Sequence, residues 1–335
     1  MKQVFLIGVL LLAVVRVAGQ SENIDSLVNV LETKKLSSEE QISIYNTVCY
    51  YYLNSEPQKA MTYIHKGLSL AEKEKNNKWI LGFTTYLGRV QMREGNYNEA
   101  LETFNHVLRV SIDEKMTDQE AQAYVSLAQL YQRQGDIETS LDFLLKSLAI
   151  YEKGKTVKHK EMVVTMLYNI GTIYRGLNNP DLAIQFYNKA EKYADELNFS
   201  EGKMQVYYGL ADIYRGKNDY EKALNYSLKS LELSRSFNNK EFESANLGGL
   251  VVIYEQGFKD YTKAEKYANE ELKIAKEMGD TYLITGALSH LAGVYINQEK
   301  YAEAEKAAME SWKMDSTDTD LGYMTTYYIG IANIF

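Results

Sequence analysis

A chain of 335 residues with 45% hydrophobic content is too long for one compact core and suits a linear stack or two domains. Its formal charge of −8, with all 45 acidic residues beyond Gln20, excludes the positive field that nonspecific nucleic-acid binding needs. Only 2 prolines favour long helices over turn-rich β architectures, and 28 tyrosines point to large amphipathic rings at recurring helix contacts.

Residues 1–20 read MKQVFLIGVLLLAVVRVAGQ, with Lys2 followed by an apolar run from Val4 to Val15 and small residues at Val17, Ala18 and Gly19. The run has signal-peptide length and is short for a membrane span, so residues 1–19 are expected to be a secretion signal cleaved after Gly19. Arg16 departs from that pattern, and an uncleaved membrane anchor is the alternative. No cysteine directly follows the apolar run, which excludes a lipoprotein anchor. Either way the remainder is expected outside the cytoplasm, exported or periplasmic. Residues 20–37 are expected to form an N-terminal capping helix, with Ser21 as its cap and Ile24, Leu27, Val28 and Leu31 as its apolar face. Ser38 with Gln41 reads as a capping box opening the first repeat.

A turn followed by a helix start then recurs along the chain: SEPQKAM from Ser55, GNYNEAL from Gly95, GDIETSL from Gly135, NNPDLAI from Asn178, NDYEKAL from Asn218, KDYTKAE from Lys259 and EKYAEAE from Glu299. The small residue of the phrase falls at Ala60, Ala100, Ser140, Ala183, Ala223, Ala264 and Ala304, a period of about forty residues. A second phrase ends in tyrosine nine residues earlier, at Tyr131, Tyr174, Tyr214 and Tyr295, whereas Tyr254 lies ten before Ala264, so that turn carries one extra residue. Apolar spacing on both sides of the turn is helical, as in Tyr124, Leu127, Ala128 and Tyr131, then Leu141, Leu144, Leu148 and Tyr151. Each unit is therefore a pair of antiparallel helices. Pro57 and Pro180 both stand three residues before the small residue, in the first turn of a second helix, where proline costs no hydrogen bond.

These units resemble tetratricopeptide repeats in a longer, forty-residue form, of the exported bacterial type. The family's small residue matches Gly88, Ala128, Gly171, Ala211 and Ala292, where helices cross closely. Gln91 stands where the second unit should have tyrosine, and Val48 and Val251 replace small residues in the first and sixth. The resemblance covers roughly residues 41–314 and implies an all-α fold, a right-handed α-α superhelical solenoid. Seven repeats are expected over residues 38–320. Residues 321–335 look like the first helix of an incomplete eighth repeat, so a longer natural chain is expected, with a capping role for that helix as the alternative.

No catalytic constellation is legible. The histidines His65, His106, His159 and His290 lack metal-ligand spacing, pairs such as Glu270 and Glu271 read as charged helix faces, and Cys49, the lone cysteine, reads as a small buried residue. An enzyme is not expected, nor is a cofactor or metal. In the family the first helices line the groove. The positions two before and one after the tyrosine slot supply Arg89, Met92, Gln129, Gln132, Thr172, Arg175, Asp212 and Arg215. Arg93 and Arg133 lie one residue farther, and Thr85, Val125, Tyr168 and Tyr208 one turn earlier. Arginine forks match carboxylates and tyrosines supply rigid contact area, so the expected partner is a protein or peptide segment of acidic character. The same arginines also suit helix C-termini electrostatically, and both readings stand. The expected function is a non-enzymatic binding scaffold, as the sensing part of a longer regulator or as a standalone envelope-complex adaptor. Nucleic acid is excluded in this portion, and a membrane link is expected only through the signal segment or a missing C-terminal part.

Overall fold

Many of the connections between the described helices carry a short polar signal that marks where the chain reverses. The structure, a computed structural model, describes residues 21–315. The expected signal segment and the expected incomplete eighth repeat lie outside the described residues. Helix α1 (Ser21–Thr33) precedes α2 (Ser38–Ser55), α3 (Pro57–Lys73), α4 (Asn77–Arg93), α5 (Tyr97–Asp113), α6 (Thr117–Arg133), α7 (Ile137–Lys153), α8 (Val157–Gly176), α9 (Pro180–Leu197), α10 (Ser200–Gly216), α11 (Tyr220–Ser236), α12 (Lys240–Val252), α13 (Tyr261–Met278), α14 (Thr281–Asn297) and α15 (Tyr301–Asp315). The described residues contain no strand. The fold is the all-α solenoid of helix pairs that the repeating pattern implies. Contacts divide the chain into two compact units, one ending at Met166 and the next beginning at Leu167, inside α8.

The recurring phrase GN, GD, NN or ND is a turn with two jobs. Its first residue takes positive φ, as at Gly95 (82°), Gly135 (81°), Asn178 (54°) and Asn218 (59°), which glycine and asparagine tolerate best. In three of them the second caps the following helix: the side chains of Asp136, Asn179 and Asp219 accept from the backbone N–H groups of Thr139, Leu182 and Lys222, whereas Asn96 makes no such bond. Pro57 and Pro180 open α3 and α9, in the first turn. The capping box at α2 is one residue upstream of its expected place. Ser37 accepts from the Glu40 N–H, and the Glu40 carboxylate accepts from the Ser37 N–H at 2.8 Å. Those hydrogen bonds hold the Glu40 pKa below its ordinary value.

The tyrosine slot serves packing within a pair. Tyr131 stacks on Phe143, Tyr174 on Phe186, Tyr214 on Tyr226 and Tyr254 on Tyr267, with centroids 5.4–5.8 Å apart. In the second pair, Thr103 donates to the Gln91 side-chain oxygen at 2.8 Å, a polar contact where those four pairs carry stacked rings. The extra residue after Tyr254 is absorbed by a π-helical turn, Ile253–Phe258. The backbone bond that closes each turn survives the insertion: Asp219 N–H reaches the Tyr214 carbonyl and Asp260 N–H the Tyr254 carbonyl, both at 2.9 Å.

Each unit has its own buried apolar clusters. In the first unit Ile42, Val48, Cys49, Ile64 and Phe83 share one cluster; burial pushes the Cys49 thiol up to about 12, so it remains a packed, protonated group. In the second unit Leu247, Leu250, Val251, Ile284, Leu288 and Val294 form another. Tyr187, fully buried on α9, inserts its ring where Gly171 and Gly209 lack side chains. A Cβ at either glycine would fall 2.6 Å from that ring. The small residue therefore makes room for an aromatic side chain of a second helix.

Candidate binding surface

The site residues inferred from sequence fall on first helices, α4 and α6 in the first unit and α8 and α10 in the second. Arg89 is half-buried on α4, and Gln129 is half-buried on α6, whereas Gln132 and Arg133 are exposed in the last turn of α6. Arg93 donates to the Leu53 carbonyl at 3.1 Å and so satisfies the end of α2. Met92, expected in the groove, is buried with Ala100, Phe104, Leu127 and Leu130.

The second unit brings its set together. Tyr168 stacks on Tyr187 at 5.6 Å. The Thr172 hydroxyl donates to the Tyr168 carbonyl and meets the Tyr187 hydroxyl, both at 3.0 Å. Arg175 on α8 reaches Asp212 on α10 at 2.5 Å, and Arg215, one turn along α10, binds the other oxygen of the same carboxylate. Two guanidiniums thus share one carboxylate across successive first helices, a local excess of positive charge. Tyr208 stands edge-on to Phe242 at 5.5 Å. Burial pushes the Tyr168 hydroxyl up to about 12 and raises that of Tyr208, so both remain neutral donors near neutral pH.

Several polar groups in this unit were not legible as a site. Glu271 on α13, read as part of a charged face, is buried, and the His290 Nδ1 of α14 lies 2.8 Å from its carboxylate. Gly248 admits this pair, since a Cβ there would fall 2.7 Å from Glu271 Oε1. Glu255, on the π-helical turn, accepts from Asn297 at 2.7 Å, and its burial raises its pKa. Arg235 on α11 ties buried Glu243 of α12 at 3.0 Å to Glu270 of α13 at 2.7 Å. His65 and His106 are exposed, and His159 meets Asp118 at 2.9 Å.

Burial disfavours the His290 imidazolium, as does Arg215, yet the hydrogen bond and charge of Glu271, with Glu255 beyond, outweigh them and raise its pKa. The folded chain therefore keeps a proton that the unfolded chain releases near pH 6.5. This contribution to stability is full below that pH and is lost as pH rises through the folded value. Urea midpoints of the second unit should fall between pH 6 and pH 8, and His290→Gln should flatten that slope; an unchanged slope in the variant would assign it elsewhere.

An open cavity of about 230 Å³ adjoins these groups, lined by Tyr208, Asp212 and Arg215 of α10, Asn246, Gly248 and Gly249 of α12, Glu271 of α13 and His290 of α14. Among the described residues no helix is long and apolar enough to cross a membrane.

Comparison with known proteins agrees with the repeat architecture. Models of the tetratricopeptide repeat match residues 82–153, 164–196 and 202–277, together more than half of the chain. A TPR repeat-containing protein of Methanocaldococcus jannaschii is 26% identical over 163 residues, 47% of this chain and 25% of that protein. The chain spans only about a quarter to a third of the length of the curated relatives it matches. Among solved structures, the apo form of the quorum sensor NprR from B. thuringiensis superposes with a TM-score of 0.63 at 15% identity, covering 88% of this chain and 81% of that one. A Rap protein complexed with competence and sporulation factor gives 0.58 at 16% identity, covering 87% and 80%. At these identities the likeness speaks to the fold.

Proposed function

The chain belongs to the tetratricopeptide-repeat family, and from that premise we propose that it is a non-enzymatic scaffold that binds a protein or peptide segment along its first helices. The observation that carries this reading is the run of groups on α8 and α10: neutral tyrosine hydroxyls beside two arginines that share a single aspartate. Such a surface offers rigid rings and guanidinium donors. The Rap protein of the same fold, bound to its competence and sporulation factor, supports the peptide class of partner. The excess of positive charge favours an acidic one. The quorum sensor NprR supports the further step that occupancy is read out as a signal, with this chain as the sensing part of a longer regulator. The apolar N-terminal stretch supports a place outside the cytoplasm.

The test is a selection of random twelve-residue peptides on the immobilised whole chain, followed by calorimetry with the retained sequences. Arg133→Ala is the informative variant in the first unit, because Arg133 is exposed and its removal is expected to leave the fold intact. Arg175 is a poorer probe, since removing it also strips a partner from half-buried Asp212. Arg133→Ala should weaken binding about tenfold with an unchanged melting temperature. Retention of no peptide at micromolar concentration would end the peptide-binding reading.

A further inference from the structure

The groove position six residues before the tyrosine slot carries Thr85, Val125, Tyr168 and Tyr208 in successive pairs, and then Gly248. The ring absent from that place, together with Gly249 beside it, leaves the cavity between α10, α12 and α14. A Cβ at Gly249 would meet only the Ser227 hydroxyl, at 4.0 Å. The polar groups around the space are unequal in what they have left to offer. Asp212 is taken by Arg175 and Arg215, and Glu271 is buried and takes the His290 Nδ1. What remains is mostly donors: the other N–H groups of Arg215, the Tyr208 hydroxyl, and the second ring nitrogen of His290 when the ring is protonated.

Resting on the peptide-binding reading above, we propose that this cavity is an acid-selective pocket, seating one aspartate or glutamate side chain of the bound peptide between Arg215 and His290. A second observation is an unpartnered polar atom in the wall of the same cavity. Asn246, almost fully buried in the same wall, gives its amide N–H groups to Ser230 and the Phe242 carbonyl and leaves Oδ1 without a partner. The charges facing His290 come from three elements: Glu271 on α13, Glu255 on the π-helical turn and Arg215 on α10. Protonated His290 offsets one of the two carboxylates, and Arg215 supplies the attraction for the incoming one. Capture should therefore be stronger at pH 6 than at pH 8.

The experiment uses peptides selected on the whole chain and, for each, a counterpart with its acidic residue replaced by the corresponding amide. Calorimetry at pH 6 should show the amide peptide binding about tenfold more weakly, the scale of one lost charge-assisted hydrogen bond. His290→Gln should remove the difference between pH 6 and pH 8, and Arg215→Gln should remove the preference for the acid. Gly249→Leu fills the space while leaving every charged residue in place; it should abolish the preference while the chain keeps its melting temperature. Peptides that bind without an acidic requirement, or equally well to Gly249→Leu, overturn the pocket while leaving the groove reading intact. If no peptide is retained at all, both readings fall together.

Discussion

Tyr187→Ala should cost the second unit about 3–5 kcal/mol, the range for deleting a large buried ring, and lower its melting temperature by roughly 10 °C. The ring is fully buried, stacked on Tyr168, and held between Gly171 on α8 and Gly209 on α10. Its hydroxyl meets Thr172 at 3.0 Å, so the substitution leaves a void and also removes a polar partner. Neither neighbouring glycine can collapse into that space, because neither has a side chain. The converse change, Gly209→Val, should be destabilising by overpacking, since a Cβ there would fall 2.6 Å from the ring. Urea unfolding with hydrogen exchange along α9 and α10 measures both. A loss below about 1 kcal/mol for Tyr187→Ala would mean that the ring is not the keystone of these helices.

Such keystones explain why the fold was legible and the site only partly so. A repeating architecture writes the same local requirements many times, so the tyrosine, the small residue and the turn appear in phase at Tyr131, Tyr174 and Tyr214. Even the extra residue after Tyr254 showed as a spacing of ten, and the structure turns it into a π-helical step. Errors arose where two neighbouring residues fit one rule. Ser37 with Glu40 and Ser38 with Gln41 share the capping-box spacing, and the box forms one residue upstream, through Glu40. Glu270 and Glu271 look alike in sequence, yet adjacent helical residues point to different faces. The Glu271 side chain is 9% exposed and that of Glu270 35%. The Glu271–His290 pair joins a second helix to the next first helix, a contact that neither periodicity nor motif spacing encodes. Met92 illustrates the same limit from the other side: a groove position by register, it turns into the core.

Gly67, which no repeat phrase singled out, should be the most intolerant small residue of the first unit. It lies on α3, and a Cβ there would fall 2.3 Å from the Phe83 ring of α4. Phe83 cannot readily retreat, being fully buried with Trp79 at 6.2 Å and Tyr86 at 6.4 Å around it. Gly67→Val should therefore cost about 3 kcal/mol or more, the upper part of the overpacking range. Phe83→Ala alone should cost about 3–5 kcal/mol through its cavity. In the double variant the valine methyls enter the space the ring has left, so the two losses should not add. A double-mutant cycle by urea unfolding should return a favourable coupling of about 2 kcal/mol. Additive losses would mean that the backbone of α3 moves away from α4 when Gly67 is enlarged. Close helix approach would then depend on the glycine alone, with no contribution from the ring it faces.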